Sequence, residues 1–246
     1  MDNLSAPLSG NNQLETPLDI EMAIAMAPGL SQVTEYEGTS QDDILSEMAA
    51  PTKNEPLPLQ LSSSWFTVLD SSTEEILEEF VAQGQSFFQA SGDSGALTPG
   101  GNPDNLVNSP YVTDVGGTTL TMAGTGASWQ SETTWSGSGG GIIEAVPIPS
   151  YQIGVNSLIQ NGGSQEYRNF PDVAAVAVDA EIIFTYDGVA SQVGAVDGTS
   201  IAAPLWAGFY RPNQPKSGSP RSEAHRLSEP GHLQSRPTGW LREFLP

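Results

Sequence analysis

Apolar positions along the chain recur in two periods. In SSTEEILEEFVAQGQ, Ile76, Leu77, Phe80 and Val81 share one helical face behind Ser72 or Thr73, which predicts an amphipathic helix capped by one of those hydroxyls. ETPLDIEMAIAMAP, residues 15–28, predicts another: Pro17 suits a first turn, Pro28 stops it, and the Ala, Met and Leu content favours helix. DDILSEMAAP (42–51) predicts a short amphipathic helix, and the apolar run after Ser200 predicts a buried one. Strands are predicted in SQVTEYEG (31–38), PLPLQLSSSW (56–65), SFFQA (86–90), PYVTDVGGTTL (110–120), PDVAAVAVD (171–179), EIIFTYDG (181–188) and QVGAVDGTS (192–200), while SETTWSGSGGG (131–141) reads as loop. Helices alternating with short apolar strands predict a layered α/β domain with a largely parallel sheet and no internal repeat.

Composition sharpens this picture. At 246 residues the chain can bury a sizeable core, and its 26 Gly and 19 Pro suit a globular protein with many loops. No apolar run approaches the ~18 residues of a membrane span, and the N-terminus lacks the basic and apolar regions of a signal peptide. With no cysteine, disulfides, thiolate metal sites and cysteine catalysis are excluded. Residues 1–210 carry 26 acidic groups against Lys53 and Arg168, a formal balance of −24, which repels phosphate backbones and argues against nucleic acid as a partner. Past Phe209 the character changes. Residues 211–246 are rich in Pro, Ser and Arg, carry a balance of +3, and hold both histidines, His225 and His232. We read 1–210 as one domain and 211–246 as an atypical tail, disordered or frame-shifted.

The candidate chemistry centres on GTSIAAPLWAG, where Ser200 stands at the mouth of the last helix. A hydroxyl there lies in the positive end of the helix dipole, beside backbone N–H groups that can face an oxyanion. It needs a base, and no histidine precedes it. The string GDSG around Ser94 matches that of trypsin-like nucleophiles, but their upstream histidine and all-β fold are lacking. One alternative is an ordinary subtilisin-like protease using His225 or His232 of the tail; another replaces histidine with a carboxylate. Glu15 and Asp19, four apart, share a helical face and can share protons. Acids in a first turn are also favoured by the dipole alone. Asp93 lies in a turn after an apolar strand; protonated, it could donate to an oxyanion, and otherwise it serves as an Asx-turn residue.

Five segments in order, ETPLDIEMAIAMAPG, FFQASGDSGA, SPYVTDVGGTTL, NFPDVAAVAVD and DGTSIAAPLWAG, resemble the sedolisin family of serine-carboxyl peptidases, from about Asn11 to Phe209. The resemblance implies a subtilisin-like layered α/β fold, incomplete here at both termini, and a secreted enzyme cleaving protein or peptide substrates at acidic pH. It implies Ser200 as nucleophile, Glu15 as general base, Asp19 as the residue orienting it, and Asp93 as part of the oxyanion hole. Ser62, Ser63, Ser64 and Trp65, with Gly139 and Gly140, match groove-lining segments that bind substrate. The family's prodomain is expected to be absent from this chain. Calcium is expected of the family, but the tail contains no Asp, so its C-terminal site is expected to be missing and no cofactor is assigned to the chain. The competing expectation is a catalytically inactive fragment or a non-catalytic extracellular binding module of the same fold.

Overall fold

The computed structural model describes residues 12–51, 56–186 and 189–210; the tail, with both histidines, lies outside them. Five helices are seen: α1 (Asn12–Met26), α2 (Gln41–Ala49), α3 (Ser71–Gln83), α4 (Asn156–Gln160) and α5 (Thr199–Tyr210). The central sheet takes β1 (Gln60–Ser63), β2 (Ser86–Ala90), β3 (Thr113–Met122), β4 (Trp129–Thr134) and β7 (Val173–Val176). β1, β2 and β3 pair in parallel, β7 joins β3 in parallel, and β4 returns antiparallel along the distal half of β3. Two antiparallel pairs lie apart from it: β5 (Gly141–Pro147) with β6 (Tyr167–Phe170), and β8 (Ala180–Tyr186) with β9 (Val189–Val196).

The sheet is filled on both faces because successive residues of a strand point to opposite sides. On β2, Phe87 packs with Leu61, Leu77, Phe80, Leu45 and Ala49 under α2 and α3, stacked on Phe80 at 5.7 Å. Its neighbour Phe88 points the other way, with Ala90 and Val115, onto Ala202, Ala203 and Ala207 of α5. Small residues on that face of α5 let the helix lie close to the sheet. Its opposite face, Ile201 and Leu205, meets Leu14, Leu18 and Met22 of α1, spaced by four along that helix. The result is an α/β fold with a mostly parallel central sheet between helical layers, and α1 outside α5.

Several elements differ from the sequence expectation, each for a physical reason. Residues 31–38 form no strand; they line a cavity beside β1. The stretch 131–134, expected as loop, is the fully exposed strand β4, whose Ser-Glu-Thr-Thr carries no apolar alternation because neither face is buried. The cap of α3 is Asp70, not Ser72 or Thr73: its carboxylate accepts from the Thr73 N–H at 2.9 Å, and the Ser72 hydroxyl donates to the same carboxylate at 2.8 Å.

Candidate functional site

The site forms where α1 and α5 start together. Gly208 comes so close to α1 that an added Cβ would stand 2.8 Å from the Ala23 carbonyl oxygen. Eight residues earlier on each helix, Ser200 acts on Glu15 through its hydroxyl. The two helices therefore run parallel, in register, over about 12 Å at 1.5 Å per residue. Both N-terminal dipole ends point into one site, a field that favours an anion on Glu15. The Leu14, Leu18 and Met22 stripe buried against α5 fixes the rotation of α1, so the adjacent stripe of Glu15 and Asp19 faces the serine.

Glu15 is half-buried, and its Oε1 is enclosed with no hydrogen-bond partner among the described residues. Burial raises its pKa above the usual carboxylate range; the Ser200 hydroxyl opposes this, the Asp93 charge adds to it, and the Ser64 hydroxyl opposes it. Asp19, one turn on, is pushed up to about 8 by burial; the Ser64 hydroxyl works against the shift, and the charges of Glu15 and Glu35 add to it. Burial thus favours the protonated form of Asp19. A proton on Asp19 supplies the donor that the enclosed Oε1 of Glu15 otherwise lacks.

Asp93 sits in the turn after β2. Its Oδ1 accepts from the Thr199 N–H at 2.7 Å and from the Thr199 hydroxyl at 2.9 Å, and the Thr199 Oγ1 accepts from the Gly92 N–H at 3.0 Å. The turn is thereby tied to the start of α5. Its Oδ2 lies toward Gly198, 3.2 Å from where a Cβ would stand, so glycine keeps that approach open. The glycine-rich loop braces the same turn. The Gly139 N–H donates to the Gly92 carbonyl at 2.7 Å, the Leu97 N–H donates to the Gly140 carbonyl at 2.8 Å, and a Cβ on Gly139 would strike the Ser91 carbonyl oxygen at 2.1 Å. Gly139 is buried and Gly140 lies against Pro171.

The serine segment leaves β1 beside the acids. Ser64 donates to Asp19 Oδ1 at 2.7 Å. Ser63 Oγ accepts from the Trp65 N–H at 3.2 Å, and Ser62 Oγ is enclosed without a partner among the described residues. Trp65 is 46% exposed and Phe66 71% exposed. A cavity of about 930 Å³ opens here, its lining including Asp19, Ser62, Ser63, Trp65 and Glu35.

The structure thus gathers Ser200, Glu15, Asp19, Asp93 and Ser64 in one place, sets Ser62, Ser63 and Trp65 along the neighbouring cavity, and uses Gly139 and Gly140 to seat the Asp93 turn. Sequence reasoning missed Thr199 as the residue gripping Asp93, and the Ser64 contact with Asp19. It also missed a buried polar cluster behind the sheet. There Arg168 is fully buried, its Nε donating to the Val107 carbonyl at 2.7 Å, one guanidinium nitrogen to the Tyr151 hydroxyl, and another to Asp172 at 3.0 Å. The signal was available: Arg168 is one of two cations in residues 1–210, and a lone cation among so many acids is well placed to be held by them. Among the described residues no three His, Asp or Glu side chains converge to hold a metal ion, and no step below involves one. Nor is any helix among them long and apolar enough to cross a membrane.

No family model matches the chain. Among curated proteins it is 32% identical over 231 residues to kumamolisin of Bacillus sp. (strain MN-32), covering 84% of this chain and 40% of that protein. It is 30% identical over 183 residues to xanthomonalisin of Xanthomonas sp. (strain T-22), covering 57% and 21%, and 32% identical over 158 residues to sedolisin of Pseudomonas sp. (strain 101), covering 56% and 25%. The chain therefore spans less than half the length of the curated relatives it matches. In structure it resembles Pseudomonas sedolisin, a serine-carboxyl proteinase solved with two molecules of pseudo-iodotyrostatin, with TM-score 0.64 and 24% identity, covering 88% of this chain and 65% of that one. Kinship in sequence to three of its members, with the shared fold, shows that the chain belongs to the sedolisin family of serine-carboxyl peptidases.

Proposed function

We propose that the chain carries the reacting groups of a serine peptidase that works in acid through a carboxylate base. One observation supports this most: a half-buried acid pair on α1 faces a serine at the start of α5, with Asp19 behind and the serine hydroxyl acting on Glu15. In the forward step Ser200 Oγ attacks the scissile carbonyl carbon while its proton passes to Glu15. The oxyanion is met by the Ser200 N–H, which lies in the first helical turn and so lacks an intrahelical acceptor. Asp93 is the second donor. With Oδ1 engaged by Thr199, it donates from Oδ2, in its protonated form. Glu15 then returns the proton to the leaving amine as the C–N bond breaks. Water attacks the acyl ester, gives its proton to Glu15, and Ser200 leaves with that proton, restoring the start.

Asp19 orients Glu15 and, by keeping its own proton, lets Glu15 rather than itself carry the charge. Ser62, Ser63, Ser64 and Trp65 border the groove for a protein or peptide substrate, and the enzyme acts outside the cell. The deciding experiment is cleavage of an unstructured protein and a peptide library between pH 3 and 7 by the chain and by its Ser200→Ala form. Turnover in acid by the first alone is expected; equal cleavage by both at every pH overturns the reading in favour of a non-catalytic module of this fold.

A further inference from the structure

Ser64 entered the sequence reading as a groove residue, yet its hydroxyl is spent inward. It donates to Asp19 Oδ1 at 2.7 Å and also acts on Glu15, so it touches both acids of the pair from an element that neither belongs to. We propose that Ser64 is a positioning residue whose hydroxyl clamps the acid pair, holding Asp19 Oδ1 as an acceptor so that the Asp19 proton resides on Oδ2 and Glu15 stays aimed at Ser200.

The argument is one of donors and acceptors. A neutral carboxyl carries one proton, and a hydroxyl that donates to one of its oxygens drives that proton to the other. Ser64 therefore selects a single arrangement of the pair instead of letting the proton alternate between Asp19 oxygens. The free Oδ2–H of Asp19 is then the donor available to the enclosed, unpartnered Oε1 of Glu15. This leaves the other Glu15 oxygen as acceptor for the Ser200 hydroxyl. Without Ser64, both acids lose a donor that favours their charged forms. The groups facing the pair are few: Asp93 from the turn after β2, Glu35 from the segment after α1, and Ser200 from α5. Both acidic neighbours oppose charge, so Ser64 and Ser200 are the groups that favour it. Ser64 is followed at once by the exposed Trp65 at the cavity mouth, so a peptide seated along this loop presses on the clamp directly.

The catalytic consequence rests on the peptidase reading; the titration consequence does not, and the test uses both. Carboxyl carbons of Glu15 and Asp19 are followed by ¹³C NMR from pH 3 to 9 in the full chain, in Ser64→Ala and in Ser64→Thr. Both midpoints are expected at higher pH in Ser64→Ala and near the parent's in Ser64→Thr, which keeps the hydroxyl. Where the parent cleaves peptides, the acid limb of kcat moves to higher pH in Ser64→Ala, and kcat rather than KM carries the loss. A residue that only lined the groove would raise KM and leave the midpoints alone. Unchanged midpoints in Ser64→Ala, or a shift that Ser64→Thr fails to reverse, overturn the clamp. Shifted and rescued midpoints in a chain that cleaves nothing keep the clamp and reject the peptidase reading. If Ser64→Ala unfolds, Ser64→Cys, of similar size but a weak donor, is titrated in its place under the same criteria.

Discussion

Asp93 does two jobs with two oxygens, and a single substitution separates them. Oδ1 fastens the start of α5 through Thr199, a structural task that any good acceptor can perform. Oδ2 is assigned to the oxyanion, a task that requires a hydrogen. Asp93→Asn keeps an acceptor for Thr199 and offers an N–H in place of the carboxyl hydrogen. It is therefore expected to unfold at the parent's temperature and to keep more cleavage than Asp93→Ala, read from kcat/KM. Asp93→Ala loses both, with about 10²–10³-fold lower kcat for the missing oxyanion donor and about 0.5–2 kcal/mol of stability by analogy with a lost helix cap. Glu15→Gln should lower kcat by about 10²–10⁴-fold, the usual range for a general base, without changing the unfolding transition by much. A different residue tests the fold alone. Arg168→Met removes the only cation from a buried set that includes Asp172 and the Val107 carbonyl, and about 3–5 kcal/mol is expected to be lost, as for other broken buried pairs. Urea unfolding of the two forms measures it.

At the scale of elements, the site is a property of how two helices lie together. Gly208 sets the separation: alanine there would gain about 1 kcal/mol of intrinsic helix preference but would meet the Ala23 carbonyl oxygen at 2.8 Å and Met26 Cβ at 3.0 Å. A backbone atom cannot swing aside, so overpacking, typically about 1–3 kcal/mol, wins. Gly208→Ala is expected to be less stable in urea and slower in cleavage, since α1 is pushed off α5 and Glu15 away from Ser200. Helices of this kind were legible from sequence because their periodicity is local. α2 and α3 fall within two residues of the predicted positions, and α1 within three at its start, where Pro17 lies inside the helix and not at its edge. The Glu15 and Asp19 spacing was legible for the same reason. What a sequence cannot show is which hydroxyl faces which acid. Ser64 and Asp19 are 45 residues apart, and Thr199 and Asp93 are 106 apart, and the packing of α1 and α5 against the ends of β1 and β2 brings each pair together. The segment 31–38 was misread because alternating apolar and polar residues predict a strand only if a sheet edge takes them up.

At the scale of the whole molecule, the acids set a pH dependence of stability opposite to the common one. Glu15, Asp19, Glu74 and Asp114 all have raised pKa values, with burial as the largest cause in each, and Asp19 reaches about 8. A carboxyl that binds its proton more tightly when folded favours the folded state least once that proton must leave. Below the unfolded value, near 4, both states are protonated and nothing is lost. As pH rises from there the folded state holds more protons than the unfolded one, so stability falls, and for Asp19 it goes on falling to about 8. Growing repulsion among the 26 acids of residues 1–210 acts in the same direction. Asp70, exposed and with a lowered pKa from its hydrogen bonds at the start of α3, acts the other way but only on the acid side. Urea midpoints are therefore expected to decline steadily from pH 4 to 8, and a rise toward neutrality would contradict the assignment. Asp114 allows the cause to be isolated. It is fully buried; burial and the Asp172 charge raise its pKa, and the Arg168 charge and the Val115 N–H oppose the shift. Asn in its place mimics the protonated form at every pH. Asp114→Asn should match the parent near pH 4 and exceed it at pH 7, by about 2–4 °C in Tm for each kcal/mol recovered in a chain of this size. The gap between the two Tm curves then follows the proton that the buried acid holds, because the substitution leaves the rest of the titrating surface unchanged.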